Sequence, residues 1–356
     1  MEASPRLRVM VLYVGRPPSF IQGDLDLLRD RFEVDPVSIG RLGSLLLALR
    51  HLRSADCLIC WFGSLRFLPL VVAARLLGIP VVVIAGGYDL ANLPEIGYGN
   101  MRPGMRRVLG RRLFRAANVV ACVSRSAEKE ARDAGAVSPE RLRVVYHAFD
   151  PGRIGADLAA GDKEPLVLTV AGIDDSTLKR KGLLTVAHTS RLMPDVRFII
   201  AGRCSPELRA RLVSEGGPGL VVPGYVSDAE LDGLFRRARV YFQPSLHEAF
   251  GCSVAEAMLF NCTPVVTASF ALPEVVGPCG VYVPPESPAA AVPVLREALA
   301  GAMQLPETPR QRIRHEFPAA LRQKRLTEIV EEVCASTIRR PGRESPPSGG
   351  SGRAPE

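Results

Sequence analysis

The stretch Val240–Thr267, VYFQPSLHEAFGCSVAEAMLFNCTPVVT, decides how this chain is read. An apolar run ends at Gln243-Pro244, a polar loop carries Ser245, His247 and Glu248, and Gly251 opens a helical run that Asn261 and Pro264 close. The order is strand, loop, helix, strand. The first amides of the helix, Gly251 to Val254, form an anion site that the helix dipole favours. Glycine at 251 lets a ligand approach the backbone. Glu256 lies about one and a half turns in, and its carboxylate can accept both hydroxyl hydrogens of a vicinal diol such as ribose. Glu248, on the preceding loop, would face another polyol. Acceptor, amide cradle, acceptor is the outline of a nucleoside diphosphate sugar. Plainer readings stand beside it: Ser245-x-x-Glu248 also fits a capping box, and Glu256 fits a solvated helix acid.

Outward from this stretch the chain alternates short β-branched runs with longer amphipathic ones. Before residue 150 the strands are expected at Leu7–Val14, Phe32–Val37, Asp56–Trp61, Pro80–Ala85, Asn118–Val123 and Leu142–Tyr146. After residue 163 they are expected at Leu166–Ala171, Val196–Ala201, Leu220–Val222, Val240–Gln243, Pro264–Thr267 and Val281–Val283. Strand–helix–strand alternation implies parallel strands with right-handed crossovers, hence doubly wound α/β sheets. The chain has 356 residues, more than the roughly 250–300 at which single cores stop growing. Two such units are expected, with Asp150–Lys163 as linker and hinge. The expected divisions are 1–155, 156–310, a helical segment 311–338 packing back on the first unit, and a disordered Pro/Gly/Ser-rich tail 339–356. Two doubly wound units create a cleft where strand C-termini face each other, and ligands bind there.

Composition narrows the function. Charges recur from Glu2 through Arg8, so no apolar leader is expected. The apolar run Phe67–Gly87 is broken by Arg75 and Gly78-Ile79-Pro80, so it reads as helix then strand. The eight cysteines are scattered in apolar runs, as buried thiols in a reducing compartment are. Cys57-x-x-Cys60 lacks a second ligand pair and reads as core strand. No metal site and no resident cofactor is expected. The net charge of +8 is uneven: residues 1–160 hold 22 Lys+Arg against 15 Asp+Glu, and the remainder 23 against 22. The excess peaks in Arg102, Arg106, Arg107, Arg111, Arg112 and Arg115. That run reads either as a solvated basic face or as a platform for anionic membrane or a phosphorylated acceptor. Nucleic acid is not expected, because no aromatic stacking series accompanies the charge. After the first strand, Val14-Gly15-Arg16-Pro17-Pro18-Ser19 lacks G-x-G-x-x-G, which argues against a nicotinamide-dependent dehydrogenase.

The decisive stretch resembles the E-x7-E region of the retaining glycosyltransferases of family 4, which have the GT-B fold. The motif is Glu248-(7)-Glu256 within Pro-Ser-x-x-Glu-Ala-Phe-Gly and Glu-Ala-Met-x-x-x-x-x-Pro-Val-Val. Further matches follow in family order: Val170-Ala171-Gly172 before Lys181-Gly182, Ile199-Ile200-Ala201-Gly202, Gly224-Tyr225-Val226 before Asp228, and Val123-Ser124-Arg125-Ser126 in the first half. Three departures stand out. Ile173-Asp174 follows Gly172 where the family usually has Arg soon after, Tyr88 replaces the His of the family's His-Asp pair before Asp89, and His147-Ala148-Phe149-Asp150 stands for the family's Asn-Gly-Val-Asp, with His147 read as a packed or hinge residue rather than a catalyst.

The resemblance implies transfer of a sugar from a nucleotide-diphosphate sugar to an acceptor, with retention and without a required metal. It implies that Asp89, Lys181 and Glu248 are catalytic. Lys181 would neutralise the diphosphate, Glu248 would hold the donor sugar and Glu256 the ribose. The nucleotide side would comprise Lys181, Gly224, Tyr225, Glu248, Phe250, Gly251, Cys252, Ser253 and Glu256. Asp89 would accept a hydrogen bond from an acceptor or donor hydroxyl, or close an Asx-type turn with Tyr88 packed beneath. The expected partners are a nucleotide-sugar donor and an acceptor that is a glycan, lipid or small molecule. The expected location is the cytoplasm, with peripheral membrane contact through Arg102–Arg115. A nucleotide-sugar epimerase of the same fold, or a non-catalytic binding protein, remains the alternative.

Overall fold

The computed structural model describes residues 6–40, 42–149 and 163–338. The expected linker lies outside the described residues except for Lys163, and the expected tail 339–356 lies outside them too.

The first sheet has the order β2-β1-β3-β4-β5-β6, from β1 (Arg8–Tyr13), β2 (Glu33–Ser38), β3 (Cys57–Trp61), β4 (Val81–Ala85), β5 (Val119–Cys122) and β6 (Leu142–Val144). The second has the order β12-β11-β10-β7-β8-β9, from β7 (Glu164–Val170), β8 (Arg197–Ala201), β9 (Leu220–Gly224), β10 (Ala238–Gln243), β11 (Thr263–Thr267) and β12 (Val281–Val283). Every pairing is parallel. Central strands such as CLICW and VVVIA are buried along their whole length, because helices cover both faces of a parallel sheet.

The first half supplies α1 (Ser19–Arg29), α2 (Leu42–Leu52), α3 (Leu68–Leu76), α4 (Met105–Ala116) and α5 (Arg125–Asp133). The second supplies α6 (Asp175–Arg180), α7 (Leu183–Leu192), α8 (Pro206–Glu215), α9 (Asp228–Arg237), α10 (Cys252–Leu259), α11 (Leu272–Val276), α12 (Pro288–Ala300), α13 (Pro309–Glu316) and α14 (Ala319–Ile338). All twelve strands fall where alternation places them. Three helices, α6, α11 and α13, have no counterpart in the sequence reading. They have five to eight residues each, too short for periodicity to show. One boundary differs from expectation. The arginine-rich run, expected as a helix over Met101–Ala116, begins its helix at Met105, because Gly104 has φ +126°, so Arg102 is off the helix and donates to the Gly99 carbonyl at 2.9 Å.

Each sheet reverses its winding at one point, between β1 and β3 in the first and between β7 and β10 in the second. The two halves meet through specific contacts. Glu274 of α11 accepts the backbone N–H groups of Arg125 and Ser126, at 2.8 and 2.7 Å, at the start of α5. A carboxylate there satisfies orphan donors and complements the helix dipole. Ser124 Oγ donates to the Ala249 carbonyl at 2.7 Å.

The last helix returns to the first half. Leu326, Ile329, Val330, Val333 and Cys334 of α14 are buried. Arg322 forms a two-pronged pair with Asp24 of α1, Nη2 to Oδ2 at 2.7 Å, and both side chains are 2% exposed. Trp61 Nε1 donates to the same Asp24 at 2.9 Å, and Arg322 Nη1 donates to the Val145 carbonyl at 2.8 Å. The desolvation cost of such a pair is offset only while both partners are present. Arg322→Leu should therefore cost about 3–5 kcal/mol in urea unfolding, and adding Asp24→Leu should recover part of that loss.

Candidate active site

The winding reversal between β7 and β10 opens a crevice at their carboxyl ends, where the loop after β10 carries Glu248. Gln243 ends β10 and its Nε2 donates to Glu248 Oε1 at 2.8 Å, while Ser245 Oγ donates to the same oxygen at 3.1 Å. Lys181 Nζ lies 3.1 Å from that oxygen and Arg180 Nη1 lies 3.6 Å from it. Burial alone would raise the Glu248 pKa, but Lys181 and Arg180 outweigh it and hold the carboxyl below the ordinary range. The expected capping box is not what Ser245 makes: it serves the Glu248 carboxylate, and Gly251 takes the cap position of α10.

Local backbone geometry brings these groups together. Leu246 N–H donates to the Arg180 carbonyl at 2.7 Å, tying the two loops. Gly182 has φ +65°, and a Cβ there would lie 2.2 Å from the Pro244 carbonyl oxygen, so only glycine after Lys181 permits this approach. Arg180 also spans the cleft: its guanidinium lies 4.8 Å from the centre of the Tyr98 ring.

Gly251 has φ +100° and opens α10 with no side-chain cap. The first amides of the helix, Cys252 and Ser253, are therefore left without a side-chain cap. Ser253 Oγ donates to Gln243 Oε1 at 3.0 Å, so a hydrogen-bonded chain runs from Ser253 through Gln243 to Glu248. Glu256 is half-buried and lines a cavity of about 480 Å³ with Cys252, Asp228 and Asp232 from the second half and Ser19 and Phe20 from the first. Among the described residues no cluster of three or more His, Cys, Asp or Glu side chains is placed to hold a metal.

Some expected residues lie elsewhere. The Phe250 side chain turns away from the helix start and packs against Tyr146, His147, Phe149 and Phe317, so it can offer a ligand only its backbone. Tyr225 is exposed beneath the Arg203 guanidinium, 5.5 Å from its ring centre. Gly224 lines a separate cavity with Cys204 and Arg209. Asp89 is 3% exposed and both its oxygens are engaged, Oδ2 by Gly63 N–H at 2.9 Å and Oδ1 by Gly86 N–H at 3.3 Å. The carboxylate thus bridges the loops after β3 and β4, and these partners are not the forward amide of an Asx turn. Tyr88 is not packed beneath it; its hydroxyl accepts from Arg106 Nη1 at 3.2 Å. His147 is buried on Trp61, ring centres 5.6 Å apart, and burial holds it neutral.

Sequence reasoning did not find the groups that join the halves beside the site. His247 Nε2 lies 2.9 Å from Glu130 Oε1 of α5, and Tyr98 lies between His247 and Arg180. No local pattern signals these pairs, since they depend on how two sheets dock.

Residues 7–153 match the family described as Glycosyltransferase Family 4, and residues 164–300 the one described as Glycosyl transferases group 1. The chain belongs to these glycosyltransferases. The MMP alpha-(1->4)-mannosyltransferase of Mycolicibacterium hassiacum is 32% identical over 148 residues, 41% of this chain and 36% of that protein. The match thus spans about a third of that relative's length. Sucrose-phosphate synthase of Thermosynechococcus elongatus superposes with a TM-score of 0.77 at 17% identity, over 93% of this chain and all of that one. Anabaena HepE, solved in complex with UDP-glucose, gives a TM-score of 0.74 at 15% identity, over 92% and 100%. At these identities the structural likeness shows the fold alone, GT-B with two Rossmann-like units about a cleft.

Burial raises the Asp89 carboxyl pKa to about 6, against the lowering effect of its two amide hydrogen bonds. A carboxyl whose pKa is raised by folding binds its proton more tightly in the native state. Its stabilising contribution is full below about pH 4 and is lost as pH rises toward 6. Across that range the wild type should lose up to about 3 kcal/mol relative to Asp89→Asn, read from denaturant unfolding at stepped pH.

Proposed function

We propose that this glycosyltransferase takes a nucleotide-diphosphate sugar as donor and transfers the sugar with retention of anomeric configuration. The observation that carries the donor reading is the position of Lys181 and Arg180. They are held on Glu248 beside the uncapped start of α10, at the winding reversal of the second sheet. The solved complex of HepE with UDP-glucose supports the same donor class.

The diphosphate would lie against the Cys252 and Ser253 amides, with Lys181 and Arg180 on its flank. Glu256 would accept the ribose hydroxyls from the cavity wall. Glu248 keeps the two cations in place and offers its carboxylate toward the donor sugar. During transfer the bond from the anomeric carbon to the diphosphate oxygen breaks, and negative charge grows on that oxygen. Fixed cations and helix amides are already aimed there, so they stabilise the transition state more than the ground state. No divalent metal and no resident cofactor enters this scheme. In a front-face route the departing diphosphate itself takes the acceptor proton, so no separate side-chain base is required. The acceptor would enter from the first half, past the loop that follows β4.

Two measurements test the assignment. Glu256→Ala should weaken nucleotide binding by about 1.5–3 kcal/mol in calorimetry, the range for hydrogen bonds to a charged group. Unchanged affinity in a folded variant would refute the ribose contact. Lys181→Ala should lower turnover about 10²–10³-fold with labelled nucleotide sugars, the size of loss for one oxyanion donor. Product analysis in the same assay reports the anomeric configuration. Donor turnover without any acceptor would favour an epimerase instead.

A further inference from the structure

We propose that the outer face of α2, α3 and α4 is a docking surface for an anionic lipid bilayer. These helices connect β2 to β3, β3 to β4 and β4 to β5, all steps in one direction along the first sheet. Right-handed crossovers therefore lay them side by side on one face. Their sequences are LGSLLLALRHL, LPLVVAARL and MRRVLGRRLFRA. The first two carry one arginine each and the third five, and none contains Asp or Glu. The basic face ends at α5, which holds Glu128, Glu130 and Asp133.

The outward positions are apolar where a solvated helix would be polar. Leu46 is 61% exposed, Leu76 84% and Met105 70%, and Leu47, Val72 and Val108 are exposed as well. On α4, Met105, Val108, Arg112 and Arg115 recur at helical spacing and form one exposed stripe. Inward positions such as Ala48, Leu70 and Leu113 already fill the core, so the outer side chains have no internal work. Aliphatic side chains among arginines, without acids, suit a bilayer interface: the former enter the acyl boundary and the guanidinium groups meet anionic headgroups. A second copy of the chain would bring the same positive face against itself. Nucleic acid would call for aromatic stacking, and the exposed apolar residues here are aliphatic.

The helices of a parallel sheet all begin at its carboxyl edge, which is the cleft. Met105 and Arg106 open α4 there, next to Tyr88 of the loop after β4. A bilayer on this face reaches the first-half lip of the cleft, so an acceptor anchored in that bilayer meets the site directly. This consequence rests on the transfer reading; the docking does not.

The test is co-sedimentation of the full chain with vesicles of phosphatidylcholine alone or with about a third phosphatidylglycerol. Anionic vesicles should retain the chain about tenfold more strongly than neutral ones, and retention should fall as NaCl rises. Arg112→Glu, and separately Leu46→Ser/Leu47→Ser/Met105→Ser, should each weaken retention about tenfold at unchanged melting temperature. Equal retention on both vesicle types, or retention indifferent to both variants, overturns the proposal. So does a dimer in sedimentation equilibrium that the serine variant dissociates while vesicles retain nothing, or an oligonucleotide complex that Arg112→Glu abolishes while vesicle binding is absent. UDP, GDP and ADP thermal shifts on the same samples keep the two readings apart. A nucleotide response without vesicle retention ends the docking alone, and retention without a nucleotide response upholds docking and ends only its consequence for the acceptor.

Discussion

A carboxylate buried at the end of β10 is the constraint on which the site depends. Glu248 could not remain charged there without cations, and the fold supplies two from a single turn, Arg180 and Lys181. Bringing that turn close enough requires a residue without a side chain at 182 and a backbone bond from Leu246 to Arg180. Gln243 and Ser245 then satisfy the same carboxylate oxygen, and Gln243 links it onward to Ser253 at the head of α10. The strand end, two loops and a helix start are thus fixed by one charge that must be compensated.

The same logic governs how the halves meet. Glu274 is placed against the free amides that open α5, and Ser124, the cap of that helix, also donates across to Ala249. Phe250 closes an aromatic cluster drawn from both halves, and the C-terminal helix locks Arg322 onto Asp24. The loop Ala249-Phe250 lies between Glu248 and Gly251. One face of it therefore holds the domains and the other presents the site. Rotation of one half against the other would disturb the contacts of this loop, which lies directly before α10.

The architecture was legible because parallel sheets write themselves into sequence as unbroken apolar runs. CLICW, VVVIA and RFIIA are short apolar runs of strand length, and all three are strands interior to their sheets. The Glu248-Glu256 spacing and the Lys181-Gly182 step are local, so they too were readable. What sequence could not carry was side-chain direction. Phe250 and Gly251 are adjacent, yet one packs into the aromatic cluster between the halves and the other opens α10. Asp89 is positioned like a ligand contact, but burial and two amides turn it into a brace between the loops after β3 and β4. The His247–Glu130 and Glu274–α5 contacts join residues more than a hundred positions apart, so docking alone defines them.

If the donor binds as proposed, the charge balance of the site gives a reason for its cations to be paired beforehand. Lys181 and Arg180 against Glu248 leave one net positive charge, and the start of α10 adds roughly half a charge more. An intact sugar diphosphate ester carries less negative charge than the free nucleoside diphosphate that departs. On the proposed reading, a pre-arranged excess of positive charge would interact more strongly with the leaving group than with the bound donor, which is the condition for lowering a barrier rather than deepening a ground state. Without Glu248 the same cations would be freer to move and more strongly positive, which would favour tight binding of product. Seen this way, the buried carboxylate sets both the geometry of the cations and the ceiling on their grip.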